Sequence, residues 1–131
     1  MLLEFKMYDK NNVFAKILRK ELPCKSVYED SNTLIFHDIN PVAPVHLIAI
    51  PKGEFTSFDD FSQKGTAEQI KSFFLSIQKV AEQLDLVSTG YRLITNHGKD
   101  AMQTVEHFHV HIIAGKPLGA LVVGDQHHST Q

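Results

Sequence analysis

The chain alternates short apolar stretches with polar punctuation, and the spacing of the apolar positions separates helices from strands. Over 12–20, Val13, Phe14, Ile17 and Leu18 form the stripe of a short amphipathic helix. Asn11 or Asn12 stands where a cap belongs, and Pro23 enforces the stop. Residues 26–30 and 33–38 read as two strands about the turn pair Ser31-Asn32, which predicts a hairpin. Pro41 and Pro44 stiffen the connection 39–44. The apolar run 45–50, closed by Pro51, is short enough for a buried strand. The longest periodic segment is 67–84, where Ile70, Phe73, Phe74, Ile77, Val80, Ala81 and Leu84 share a helical face. Thr66 and Gln69 before it have the spacing of a capping box. After Gly90, residues 91–95 read as a strand, 96–104 as a polar loop and 107–113 as the last strand.

Hairpins stand where βαβ units would be needed for a parallel sheet. The pattern therefore predicts an α+β fold, an antiparallel sheet with a long helix on one face. No repeat, low-complexity segment or linker interrupts it. One domain is expected over 1–131, with its core at about 12–115 and a loose tail over 116–131, where His127 and His128 are expected to be disordered.

Three histidines carry the chemistry. In Val105-Glu106-His107-Phe108-His109-Val110-His111-Ile112-Ile113 a strand sends Phe108, Val110 and Ile112 to one face and His107, His109 and His111 to the other. Metal binding is one use: a His-x-His pair can share a zinc, with a distant ligand such as His46. The full triad fits one ion poorly, because a rise of about 3.3 Å per residue puts the outer two Cα atoms roughly 13 Å apart. Phosphate chemistry is the other use: a neutral imidazole attacks phosphorus while a neighbour in another protonation state holds oxygens or assists the leaving group. Three solvent-facing histidines on a half-exposed strand are the plain structural alternative.

Composition narrows the classes. In 131 residues, 43% hydrophobic and 21% charged is a globular balance, not that of a disordered chain or a coiled coil. Thirteen Lys and Arg against fifteen Asp and Glu give a net charge of −2, which argues against a general nucleic-acid binder but leaves room for a locally positive phosphate site. Cys24 is the single cysteine, so no intrachain disulfide forms and a reducing compartment is expected. It reads as a small apolar filler. Residues 1–6 lack the basic start of a signal peptide and no apolar run approaches a membrane span. A cytoplasmic protein that binds no membrane is expected, with Met7 an alternative start.

The triad resembles the signature of the histidine-triad (HIT) family. The resemblance extends to Phe14-Ala15-Lys16-Ile17, Phe36-His37-Asp38-Ile39-Asn40-Pro41, Ala43-Pro44-Val45-His46, Ile50-Pro51-Lys52, Gly90-Tyr91-Arg92 and Asn96-His97-Gly98, in the order of the family's Hint branch, over roughly 12–115. It implies a homodimer of five-stranded antiparallel sheets, each with one long helix and one short N-terminal helix. It implies a hydrolase of purine nucleoside phosphoramidates and aminoacyl-adenylates that works through a nucleotidyl-histidine intermediate, without metal or other cofactor. By motif position His109 is the implied nucleophile. His107 and His46 would orient it, His111 would meet the phosphate and leaving group, and Thr104 would donate to the scissile bridge. Asn96 and Gln103 would contact phosphate, Asp38 would bind the ribose hydroxyls, and Phe14, Ile17, His37 and Ile39 would line the base pocket. A dinucleoside polyphosphate hydrolase sharing the His109 step, and a nucleotide-binding regulator with incidental catalysis, are the alternatives.

Departures from that pattern bear on substrate and metal. Many bacterial relatives carry Cys-x-x-Cys and a later histidine for a structural zinc; here those positions are Asn12, Ala15 and Glu54, so no such site is expected. Ala101-Met102 replaces a glycine pair before Gln103, which is expected to narrow the phosphate approach. No tryptophan follows Gly115, where the family's C-terminal segment helps set specificity.

Overall fold

A computed structural model describes residues 7–122; the expectations for residues 1–6 and for His127 and His128 fall outside them. Among the described residues the elements are α1 (Val13–Leu18), β1 (Ser26–Glu29), β2 (Thr33–His37), β3 (Val45–Pro51), α2 (Phe58–Lys64), α3 (Ala67–Gln83), β4 (Tyr91–Ile94) and β5 (Val110–Ala114), with a 3-10 turn at Lys99–Ala101. The five strands form one antiparallel sheet in the order β1-β2-β3-β5-β4. The α+β fold read from the sequence is the fold observed.

The sheet is covered on both faces, which is why β2 and β3 read as continuous apolar runs rather than alternating ones. Under α3 lies the larger core, built on Ile35, Leu47, Phe61, Phe73, Ile77, Phe108, Val110 and Ile112. On the other face Phe14 of α1 packs with Leu34, Phe36, Ile48 and Ile50. Burying each such side chain contributes about 1.5–3 kcal/mol. The capping box of α3 is present: Thr66 Oγ1 accepts from the Gln69 N–H at 3.0 Å, and Gln69 Oε1 accepts from the Thr66 N–H at 2.9 Å.

The predicted face of α3 is too wide. Phe74 and Leu84 are exposed, and Ser76 takes a buried place, donating to the Ser72 carbonyl and the Asp30 carboxylate. Asp30 also accepts from the Asn32 and Thr33 N–H groups, which fixes the β1–β2 turn. Helix α2 was not predicted. Its signals are Ser57, whose side chain caps the Asp60 N–H, and two acidic residues in the first turn. Its Phe61 ring stacks on Phe108 at 4.8 Å and 16°.

The last strand starts three residues later than expected. The β3 ladder ends with Ala49 opposite Val110. Upstream of that pair the chain leaves the sheet: the Phe108 N–H donates to the Phe55 carbonyl at 2.7 Å, and the His107 ring turns to the Pro51 carbonyl. The expected alternation survives this departure, because Phe108 still enters the α3 core and His107 still lies on the Phe14 face.

Candidate active site

The triad is not a solvent-facing row. His107 is fully buried and His109 only 6% exposed, with the Phe14 ring edge-on to His109 at 4.9 Å. Helix α1 supplies this cover, and Asn12 holds its start by accepting from the Ala15 N–H.

Hydrogen bonds fix the tautomer of every ring. The His109 Nδ1–H donates to the His107 carbonyl at 2.7 Å, since a carbonyl only accepts. Its Nε2 therefore carries the lone pair in the neutral ring. The His107 Nε2–H donates to the Pro51 carbonyl at 2.8 Å, which makes His107 Nδ1 the acceptor of the Tyr8 hydroxyl. The Val42 N–H donates to His46 Nδ1 at 3.1 Å, so the His46 proton sits on Nε2. That Nε2–H points at His111 Nδ1, 2.9 Å away, and lies 3.3 Å from Asp38 Oδ2. His111 is then left with its proton on Nε2. The family resemblance implies His46 behind His109; its ring bonds to His111 instead.

The three triad rings are held neutral. Burial pushes His107 down to about 4, and burial with the neighbouring His109 and His46 rings does the same to His111. Burial also lowers His109, against the His107 carbonyl and the Asp38 charge, which favour its protonated form.

His109 and His111 border a cavity of about 1030 Å³. Phe14, Ile17, His37, Asp38, Ile39, His46, Asn96, Thr104, His109 and His111 all line it. Ile39, 90% exposed, stands at its rim. Two of the expected residues are elsewhere. His107 lies behind His109, off the cavity wall. Gln103 is also off the wall, and its amide is spent on the chain: its N–H groups donate to the Thr56 and Val105 carbonyls, and its oxygen accepts from the Gly98 N–H. Asn96 holds the same loop through the Ala101 carbonyl but keeps its place on the wall. Sequence reasoning assigned no role to Tyr8, Leu22, Phe36 or Val105, although Phe36 stands in a segment that carries the resemblance. Met102, the bulky residue in a glycine position, does sit on the wall, at φ 61°.

Two groups of side chains bear on metal binding. Ligand atoms of Asp38, His46 and His111 lie within 4.8 Å of one another. A metal there needs the lone pair of His46 Nε2, which the Val42 hydrogen bond has assigned a proton, so the set fits poorly. The three positions where the resemblance implies a structural zinc in other members fit worse. Asn12 and Ala15 offer no thiolate, the Asn12 oxygen is committed to its helix cap, and Glu54 pairs with Lys10.

The chain is similar to known proteins over most of its length. A family profile described as HIT domain matches residues 19–118. An HIT-like protein of Rickettsia prowazekii is 51% identical over 116 residues, covering 88% of this chain and 97% of that one. The purine nucleoside phosphoramidase of Escherichia coli is 36% identical over 114 residues, covering 86% and 94%. Among solved structures, an HIT family hydrolase from Clostridium thermocellum is 40% identical with a TM-score of 0.79, covering 86% of this chain and 97% of its own.

Proposed function

The chain belongs to the HIT family, and on that premise we propose that it hydrolyses purine nucleoside phosphoramidates and aminoacyl-adenylates, with His109 as nucleophile. The observation that carries the reading is the assigned tautomer of His109. A neutral ring with Nδ1–H on a carbonyl presents an unprotonated Nε2 to the cavity at neutral pH.

In this reading the base lies among Phe14, Ile17 and Ile39, beside His37, and Asp38 accepts from the ribose hydroxyls. His109 Nε2 attacks phosphorus. With a phosphoramidate the P–N bond breaks as the P–Nε2 bond forms, and nitrogen departs as the amine with a proton taken from solvent; with an aminoacyl-adenylate the P–O bond to the acyl group breaks and the carboxylate departs without one. The ring of His109 becomes cationic, and the His107 carbonyl on Nδ1 stabilises that charge. His111 offers Nε2–H to the phosphoryl oxygens, oriented from behind by His46, while the Thr104 hydroxyl and the Asn96 amide line the approach. Water then breaks the P–Nε2 bond and releases the nucleoside monophosphate. None of these steps calls for a metal.

A second reading, hydrolysis of dinucleoside polyphosphates, uses the same His109 step; a cavity of about 1030 Å³ offers room beyond one nucleotide. We also read the protein as a homodimer joined along β4. Among the described residues this edge strand pairs only with β5, and its Leu93 is exposed, whereas the other edge, β1, is broken by a register shift. The test is hydrolysis of adenosine 5′-phosphoramidate against diadenosine tetraphosphate, in EDTA, beside His109→Ala. Faster, His109-dependent phosphoramidate cleavage supports the first reading. Preference for the dinucleotide promotes the second, and turnover of neither leaves a binding role.

A further inference from the structure

The ring of His107 does not reach the cavity, yet it is the most deeply buried of the triad. A buried neutral imidazole needs a partner on each nitrogen, and an unpartnered one costs about 1–3 kcal/mol. Pro51 supplies the acceptor for Nε2–H. The partner on Nδ1 comes from outside the sheet and its helices: the hydroxyl of Tyr8, at 2.5 Å, with the two rings edge-to-face at 5.6 Å.

We propose that Tyr8 is a positioning residue for the nucleophile, acting through His107. Three consecutive hydrogen bonds make the connection. Tyr8 O–H donates to His107 Nδ1, His107 Nε2–H donates to the Pro51 carbonyl, and the His107 carbonyl accepts from His109 Nδ1–H. Pinning the His107 ring at both nitrogens fixes the orientation of its own peptide group. That peptide carbonyl sets the tautomer and the aim of His109. Without the hydroxyl, the ring is free to turn about its remaining bond to Pro51, and the carbonyl loses its fixed direction.

The local chemistry suits a donating phenol. Partial burial raises the Tyr8 pKa from its ordinary value, with Glu54 and Asp9 acting in the same sense and Asn12 and Arg19 against it, so the O–H keeps its proton at neutral pH. The segment bearing Tyr8 is itself tied down. Asp9 accepts from the Asn11 N–H through its carboxylate, and its carbonyl accepts from the Asn12 side chain, which also caps α1. The residue thus joins the entry of α1 to the back of the triad.

The proposal rests on His109 being the nucleophile, and its test separates the two claims. Tyr8→Phe keeps the ring and removes only the hydroxyl. We expect kcat for phosphoramidate hydrolysis to fall about tenfold while KM stays within about twofold, the split of a misaligned nucleophile rather than a lost substrate contact. In ¹⁵N spectra of the imidazoles, the wild type should show His107 as the Nε2–H tautomer with a hydrogen-bonded Nδ1. The variant should lose that Nδ1 signature and shift the Nδ1–H of His109. An unchanged kcat with unchanged His109 resonances overturns the proposal, as does a wild-type His107 protonated on Nδ1. Wild-type protein that shows the expected tautomers but cleaves no phosphoramidate overturns the assigned function and leaves the Tyr8 connection standing.

Discussion

The Nδ1 atom of His109 lies 2.7 Å from the backbone carbonyl of His107, two residues before it in the chain. The contact arises because 107–109 leave the β5 ladder, freeing a carbonyl that a regular strand would have given to its neighbour. One departure from regular structure therefore decides which nitrogen of the central histidine carries the lone pair.

Removing that ring should end turnover and also cost stability. His109→Ala leaves the His107 carbonyl without its donor and strips a ring from the edge of Phe14. Thermal or urea unfolding should show a loss of about 1–3 kcal/mol, with the cooperative transition intact. A variant as stable as the wild type would show that the carbonyl finds another partner.

Gln103 distinguishes a loop tie from a phosphate contact. Its three hydrogen bonds to backbone groups of Thr56, Val105 and Gly98 hold the loop before the triad. Gln103→Ala should destabilise the protein by about 1–3 kcal/mol and lower kcat more than it raises KM. A variant of unchanged stability whose defect is confined to KM would return Gln103 to the phosphate.

Asp38 combines two roles. Its Oδ1 accepts from the Asn40 N–H, and its Oδ2 faces His46 at 3.3 Å on the cavity wall. Asp38→Ala should raise KM for nucleoside substrates roughly 10- to 100-fold, the loss expected for charge-assisted bonds to sugar hydroxyls. 2′-Deoxy substrates should narrow the gap between variant and wild type. An equal penalty on ribose and deoxyribose substrates would leave Asp38 with the turn alone.

Acid should weaken both activity and fold. His107 and His111 titrate near 4 in the folded chain against an ordinary value of 6.5, so between those limits the unfolded chain binds more protons. The stability these groups contribute is full above pH 6.5 and is lost as pH falls toward 4, roughly 3 kcal/mol for the fully buried His107. The kcat/KM profile should stay level through neutrality and decline only below the ordinary histidine range, because burial lowers His109 as well. Tm and kcat/KM measured from pH 4 to 8 check both curves; an activity midpoint above 6.5 would contradict them.

Much of this was legible in the sequence because it rests on periodicity. The alternation of Phe108, Val110 and Ile112 against the histidines, the hairpin turn and the Thr66–Gln69 box all rest on local spacing, and each is present. What spacing could not show depends on contacts distant in the chain. Tyr8 reaches His107 across 99 positions, His46 reaches His111 across 65, and Gln103 reaches Thr56 across 47. Helix α2 escaped because its seven residues bury a single side chain, Phe61, leaving no stripe to read.

The most direct test is to trap the covalent intermediate. Protein mixed with adenosine 5′-phosphoramidate, in EDTA and quenched within one turnover, should carry a nucleotidyl group on the peptide containing His109, bonded through Nε2. The adduct should be labile in acid, as a phosphorus–nitrogen bond is, and absent from His109→Ala. Turnover with no adduct, or an adduct on any other residue, would contradict the account.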